Sequence, residues 1–225
     1  MAKVSVNKLG SLVLGPDGTV EVGRLPTSFG SRGPLTSTAD YFLSWAANAK
    51  FGNLKFLSDL KDDEFKQAII SFPSRLTSAI EKSSQKDISV AESLFPIVHR
   101  DFLLHNILFD DEYNIVGVID WEHAHSAPLE VFTALTNMYS HFDSKVLRTV
   151  PNPDGGSQYI HDVLNAEKDI GQVSILSQTI GSILGDISLC MTYFEDGKVV
   201  PYGELLDRYE STTTTPQEKD PIQNH

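Results

Sequence analysis

The stretch His99-Arg100-Asp101-Phe102-Leu103-Leu104-His105-Asn106 is followed, after a short interval, by Val118-Ile119-Asp120-Trp121-Glu122. The first part reads H-x-D-x-x-x-x-N, and the second is an apolar run ending in Asp. The surrounding pattern is that of strands. Phe95 to Val98 is a short apolar run that delivers His99 and Asp101 to a loop, and Ile107 to Phe109 predicts a second strand. Asp110-Asp111-Glu112-Tyr113-Asn114 is a polar turn, and Ile115 to Ile119 predicts a third strand. So tight a turn makes the last two strands a hairpin. That hairpin brings Asn106, at the start of one strand, beside Asp120, at the end of the other.

This spacing suits phosphoryl transfer of the kinase type. There, one Asp orients the accepting hydroxyl, while an Asn and a second Asp hold Mg²⁺ on the nucleotide phosphates. Asp101, Asn106 and Asp120 are the candidates for those three roles. Mg²⁺ takes one or two protein oxygen ligands and completes its shell with phosphate and water, which two adjacent strand ends can supply. His99 is expected to brace the loop rather than to act chemically. A different reading takes His99, Asp101, His105, Asp120, Glu122, His123 and His125 as a transition-metal cluster for hydrolysis. No H-E-x-x-H or Cys-His spacing supports it.

The segment resembles the aminoglycoside phosphotransferase and choline kinase-like family, which shares the protein-kinase C-lobe architecture. The resemblance runs through His99, Asp101, Asn106, Ile119, Asp120, Trp121 and Glu122, and extends to Pro128. It implies ATP-dependent, Mg²⁺-dependent transfer to a hydroxyl of a small molecule. It further implies Asp101 as the catalytic residue, Asn106 and Asp120 as ligands of Mg²⁺–ATP, and His99, Trp121 and Glu122 as supports of the loops. Protein kinases are less similar: Leu103 stands where they carry Lys, and Trp121-Glu122 stand where they carry Phe-Gly. Arg100 and His105 stand where many members of the resembled family have small residues.

The implied fold class is α+β: a kinase-like C-lobe, mostly helical around a small β-hairpin site, with the N-lobe largely missing. Residues 1–23, with Gly10 to Gly15, the turn Pro16-Asp17-Gly18 and Thr19 to Val22, are read as a hairpin left from an N-lobe or interlobe connector. Residues 24–210 are the C-lobe, within which 24–35 is a Gly/Pro/Ser-rich loop. A helix starts at Ser37 or Thr38, with Phe42, Trp45, Ala46 and Ala49 on one face. Asp62 to Glu81 is helical by period, and Pro73 should kink or split it. Ser126 is expected to cap a helix that carries Pro128 in its first turn and Phe132, Leu135 and Tyr139 on its core face. A loop-rich segment spans 145–156. Further helices are expected near 157–169, 173–194 and 201–209, and the tail 211–225 is expected to be disordered.

Composition bounds the partners. The chain has 225 residues, 40% of them hydrophobic, and a net charge of −12, so it can build a core and has no basic footprint for nucleic acid. A carboxylate-rich surface suits a cationic acceptor such as an amino sugar or amino alcohol. Cys190 is alone and sits on an apolar helix face, where a buried thiol is expected. Met1 to Gly10 lacks the apolar core of a secretory signal, and the most apolar helix, Val173 to Phe194, is interrupted by polar residues, so no membrane association and a cytoplasmic location are expected. The residues contain no G-x-G-x-x-G loop followed by a strand lysine. Activity of the chain by itself is therefore expected to be low, and a partner is expected over the face an N-lobe would cover. The competing reading is a pseudokinase-like binding or scaffolding protein.

Overall fold

The computed structural model describes residues 5–27, 30–84, 95–99, 101–102, 104–136, 153–169, 171, 175–180, 182–198 and 200–214. Strands β1 (Ser5–Val6), β2 (Gly10–Leu14) and β3 (Val20–Val22) lead to β4 (Leu25–Thr27) and β5 (Gly30–Arg32). Then come β6 (Phe95–Val98), β7 (Ile107–Phe109), β8 (Ile115–Val118) and β9 (His125–Ser126). The helices are α1 (Thr38–Ala46), α2 (Leu54–Asp59), α3 (Asp63–Ser84), α4 (Leu129–Thr136), α5 (Pro153–Asp169), α6 (Ile175–Thr179), α7 (Ile183–Glu195) and α8 (Tyr202–Thr214). The architecture is mixed α and β, with antiparallel strand pairs among the described residues.

The first residues and the motif region share one sheet, in the order β1-β6-β9-β2-β3. β6 is flanked by β1 and β9, with Ser5 opposite Pro96 and Val98 opposite His125. β2 joins β9 to β3, with Gly10 opposite Ser126 and Leu12 opposite Val22. The expected hairpin at 10–22 forms as read. Asp17 Oδ1 accepts from both the amide and the hydroxyl of Thr19, at 3.0 and 2.6 Å, which closes its turn. Gly10 is required where it stands, because a Cβ there would strike the carbonyl oxygen of Gly23.

Several expectations are corrected. Residues 24–35 are not simply a loop: β4 and β5 pair in register, Leu25 opposite Arg32. Strand alternation is weak there, and the pairing is closed by side chains, with Arg24 donating to Ser31 Oγ and its carbonyl at 3.0 and 2.8 Å. Pro73 does not split α3, which continues from Asp63 to Ser84. Its buried face, with Ile69, Phe72, Leu76 and Ile80 fully covered, outweighs the one backbone hydrogen bond that proline forgoes. Residues 153–156 are the first turn of α5 rather than loop. The apolar run 173–194 is two helices, because Ser182 caps a new start by accepting from Gly185 N. The last helix runs on to Thr214, into the segment expected to be irregular. Residues 137–152 and 215–225, including Tyr139 and the rest of the tail, lie outside the described residues.

Helix α1 starts as read, with Ser37 Oγ accepting from Asp40 N at 3.0 Å. Its Phe42 and Trp45 enter an aromatic core with Phe72 of α3, Phe194 of α7 and Tyr202 of α8. Ring centroids there are 5.6 Å apart for Trp45–Phe194 and 4.8 Å for Phe72–Tyr202. These interlocked rings belong to one core with Phe95 and Val98 of β6. Among the described residues no helix is long and apolar enough to cross a membrane.

Candidate functional site

Strand β6 is buried along its whole length and ends by delivering His99, itself 4% exposed, beneath the loops. His99 Nε2 lies 2.6 Å from the carbonyl oxygen of Ile119. A carbonyl only accepts, so Nε2 carries the hydrogen. The ring stands edge-on to Trp121, with centroids 4.6 Å apart. Its other nitrogen, Nδ1, is buried without a hydrogen-bond partner. His99 thus braces the residue just before Asp120. Arg100 and Leu103 lie outside the described residues.

The chain then turns through a single 3₁₀ turn, Leu104–Asn106, into β7. Asn106 is 3% exposed, and its amide Nδ2 donates to the backbone oxygen of Asp101 at 2.9 Å and to Asp101 Oδ2 at 3.1 Å. Both partners are acceptors only, which fixes the orientation of the amide: Oδ1 faces away from Asp101. The backbone oxygen of Asn106 accepts from Ile119 N at 2.9 Å. One buried residue therefore ties the Asp101 loop, through its side chain, to the strand end that presents Asp120, through its backbone oxygen.

The hairpin behind this joint is the one the sequence predicts. β7 and β8 pair with Ile107 opposite Val118, and a bulge follows Leu108. Its turn is closed by Asp110, whose Oδ1 accepts from the amides of Glu112 and Asn114 at 2.9 and 2.8 Å. Hydrogen bonds led by the Asn114 side chain hold the Asp110 carboxyl below the usual carboxylate range.

Asp120 takes a left-handed backbone conformation, with φ +65°. Asp tolerates this region better than most residues, yet such a conformation costs on the order of 1–3 kcal/mol and persists only where neighbours impose it. Here they do. Ile119 is held on both backbone groups, by His99 and by Asn106, and Trp121 Nε1 donates to Val118 O at 2.8 Å. Ala124 N closes the following turn onto Trp121 O at 2.9 Å. The Asp120 side chain is exposed beyond this brace.

Not every expected residue reaches the joint. Glu122 is exposed and lies 3.4 Å from His123 Nε2, in the turn after Asp120. His125 is buried in β9, with Nδ1 3.2 Å from His123 O. With His99 also turned to a backbone carbonyl, the histidines do not converge, and no group of three or more His, Cys, Asp or Glu among the described residues is placed to hold a metal. Ser126 does not cap the next helix. Its hydroxyl accepts from Gly10 N at 2.9 Å and reaches the carbonyl oxygens of Lys8 and Gly10 at 2.7 and 3.1 Å, so it joins β9 to the first strands instead. His105 is a residue that sequence reading left without a role. Its Nε2 sits 3.4 Å from Asp101 Oδ2, and the signal for it was the four-residue spacing across a short turn.

The Asn106 amide oxygen and the Asp120 carboxylate are of ligand types that suit Mg²⁺. Residues 36–145 match the model of the phosphotransferase enzyme family. The matched segment contains Asp101, Asn106 and Asp120, and leaves β1–β5 and α5–α8 outside it. No curated protein and no solved structure matches the chain. The segment that carries the candidate site is thus similar to the phosphotransferase enzyme family.

Proposed function

We propose that the protein is an ATP-dependent O-phosphotransferase acting on a small hydroxyl-bearing molecule, and that residues 24–210 correspond to a kinase-like C-lobe. The observation that carries this reading is the Asn106 joint. A single buried amide contacts Asp101 on one side, while its own backbone oxygen holds the residue before Asp120 on the other. The two loops are thereby tied together, which supports a reaction governed by positioning.

In this reading Asp101 orients the acceptor hydroxyl and takes its proton. Asp101 is about half exposed, open enough to meet an incoming substrate. Asn106 and Asp120 would hold Mg²⁺ on the nucleotide, and the metal, when bound, supplies charge neutralisation for the phosphates. His99 and Trp121 keep the Asp120 turn in its strained shape. The acidic balance of the chain, −12, favours a cationic acceptor such as an amino sugar or amino alcohol. The same residues supply no cation for the triphosphate, and no strand among the described residues carries a lysine. We therefore infer that this polypeptide by itself turns over slowly and binds ATP weakly.

The test is calorimetric titration with Mg²⁺–ATP, together with a phosphate-transfer assay against a panel of amino sugars and amino alcohols. Asp101→Asn should lower turnover by about 10²–10⁴-fold while sparing nucleotide binding. Asp120→Ala should weaken Mg²⁺–ATP binding. An equal loss of affinity and rate in Asp101→Asn would refute this division of roles. Nucleotide binding with no transfer to any acceptor would favour the pseudokinase-like reading. Tight binding with many turnovers would overturn the inference of low activity in the polypeptide alone.

A further inference from the structure

The Asp101 carboxylate is not symmetric. Oδ2 faces two nitrogen donors, Asn106 Nδ2 at 3.1 Å and His105 Nε2 at 3.4 Å. Oδ1 takes no hydrogen bond among the described residues. Both donors come from the same 3₁₀ turn, Leu104–Asn106, and that turn is anchored, because Asn106 is buried and also holds the Asp101 backbone oxygen at 2.9 Å. His105 itself is exposed, with a side-chain exposure of 63%, so it adds nothing to the core.

We propose that His105 is a positioning residue for Asp101: with Asn106 it claims Oδ2 and leaves Oδ1 as the carboxylate oxygen that meets the acceptor hydroxyl. This rests on the phosphotransferase reading above. The physical reason is rotational freedom. A carboxylate on an exposed loop turns about its Cβ–Cγ bond, and either oxygen can then face the substrate. Two donors on one oxygen hold the plane of the group, and hydrogen bonds to an ionised acceptor are the stronger kind. Asn106 alone contacts Asp101 from one side. His105 reaches Oδ2 from the adjacent position in the turn, with its Nε2 as donor and Nδ1 left to solvent. The step it serves is the transfer of the acceptor hydroxyl proton to Asp101 Oδ1 as the hydroxyl oxygen bonds to the γ-phosphorus of ATP and the bond from that phosphorus to the bridging oxygen breaks, releasing ADP.

The experiment compares the full chain with His105→Gln, which keeps a neutral side-chain donor, and His105→Ala, which removes it. Two readouts are taken at about pH 8, where an ordinary histidine is neutral. One is the carboxyl carbon resonance of Asp101 in selectively labelled protein. The other is kcat and KM for phosphate transfer with Mg²⁺–ATP. His105→Ala should shift the Asp101 resonance and lower kcat by about tenfold with both KM values unchanged, within the range that misplacement of a reacting group costs. His105→Gln should restore both. An Asp101 resonance that stays in place in His105→Ala overturns the proposal, whether or not turnover is measurable. The functional reading fails separately: if Asp101→Asn leaves turnover intact while His105→Ala still shifts the Asp101 signal, the contact stands and the assigned chemistry does not.

Discussion

His99 Nε2 sits 2.6 Å from the carbonyl oxygen of Ile119, so the residue that opens the Asp101 loop grips the residue that precedes Asp120. The contact spans twenty residues of sequence and carries the left-handed turn at Asp120. Replacing His99 by Phe keeps an aromatic ring against Trp121 and removes the donor. The net loss of one such bond is about 0.5–1.5 kcal/mol, softened here because the buried, unpartnered Nδ1 leaves with it. The local effect should exceed the global one. Amide exchange at Ile119 and Ala124 should quicken in His99→Phe while the urea midpoint falls only modestly. Unchanged exchange at those two amides would show that Asp120 is held by other means.

Gly52 meets the end of α7 without space between them. A Cβ at this position would strike the carbonyl oxygen of Glu195, and Gly52 N already donates to Phe194 O at 3.0 Å. The obstacle is backbone, which cannot rotate aside. Gly52→Ala should therefore destabilise the fold by about 1–3 kcal/mol, as overpacking does. Gly117→Ala is the control, since its Cβ would make ordinary contact with Leu108, 3.5 Å away. Urea unfolding of the two variants should separate them clearly. Equal midpoints would mean that the 52–53 loop does not seat on α7 as described.

Glu130 gives stability a pH dependence with a definite sign. Burial in the first turn of α4 pushes its carboxyl above the usual range. The folded state thus binds its proton more tightly than the unfolded chain does. The resulting stability is fully present below the ordinary glutamate value and is lost as pH rises through the raised one. Glu130→Gln removes the ionisation, so it should be more stable than the wild type at neutral pH, with the advantage shrinking in acid. Urea midpoints measured across that range decide it. A Gln variant that is less stable at neutral pH would show that the carboxylate has a partner that holds it charged.

Cys190 is 3% exposed, and burial, reinforced by Asp186 one turn earlier, pushes its thiol up to about 12. Reactivity belongs to the thiolate. Disulfide exchange with a chromogenic reagent at about pH 8 should be very slow in the native protein and fast in urea. Rapid native labelling would mean that α7 opens locally without global unfolding.

The strands around the motif were legible because their signals are local. Phe95 to Val98, Ile107 to Phe109 and Ile115 to Val118 are short apolar runs divided by a turn that Asp110 and Asn114 close themselves. Ser37 could be read as a cap for the same reason, since its partner Asp40 N is three residues away. Ser126 was misread by this logic. A serine before Pro128 has the look of a cap, but its hydroxyl partners lie 116 and 118 residues back, where only the sheet order brings them. The continuity of α3 through Pro73 was equally out of reach, being settled by what its buried face packs against.

By itself the sequence determined the candidate chemistry: the order His99, Asp101, Asn106, Asp120, and the hairpin that sets the last two at neighbouring strand ends. Periodicity and turn residues act within a few positions of themselves, so such features survive without knowledge of the rest of the chain. Tertiary structure alone decided how that chemistry is held. It inserted β6 between β1 and β9, turned His99 onto Ile119, oriented the Asn106 amide toward Asp101, and placed His105 beside the same carboxylate. Each of these depends on burying a polar group only where a partner meets it. That condition is imposed by the assembled core and is not written in any single segment.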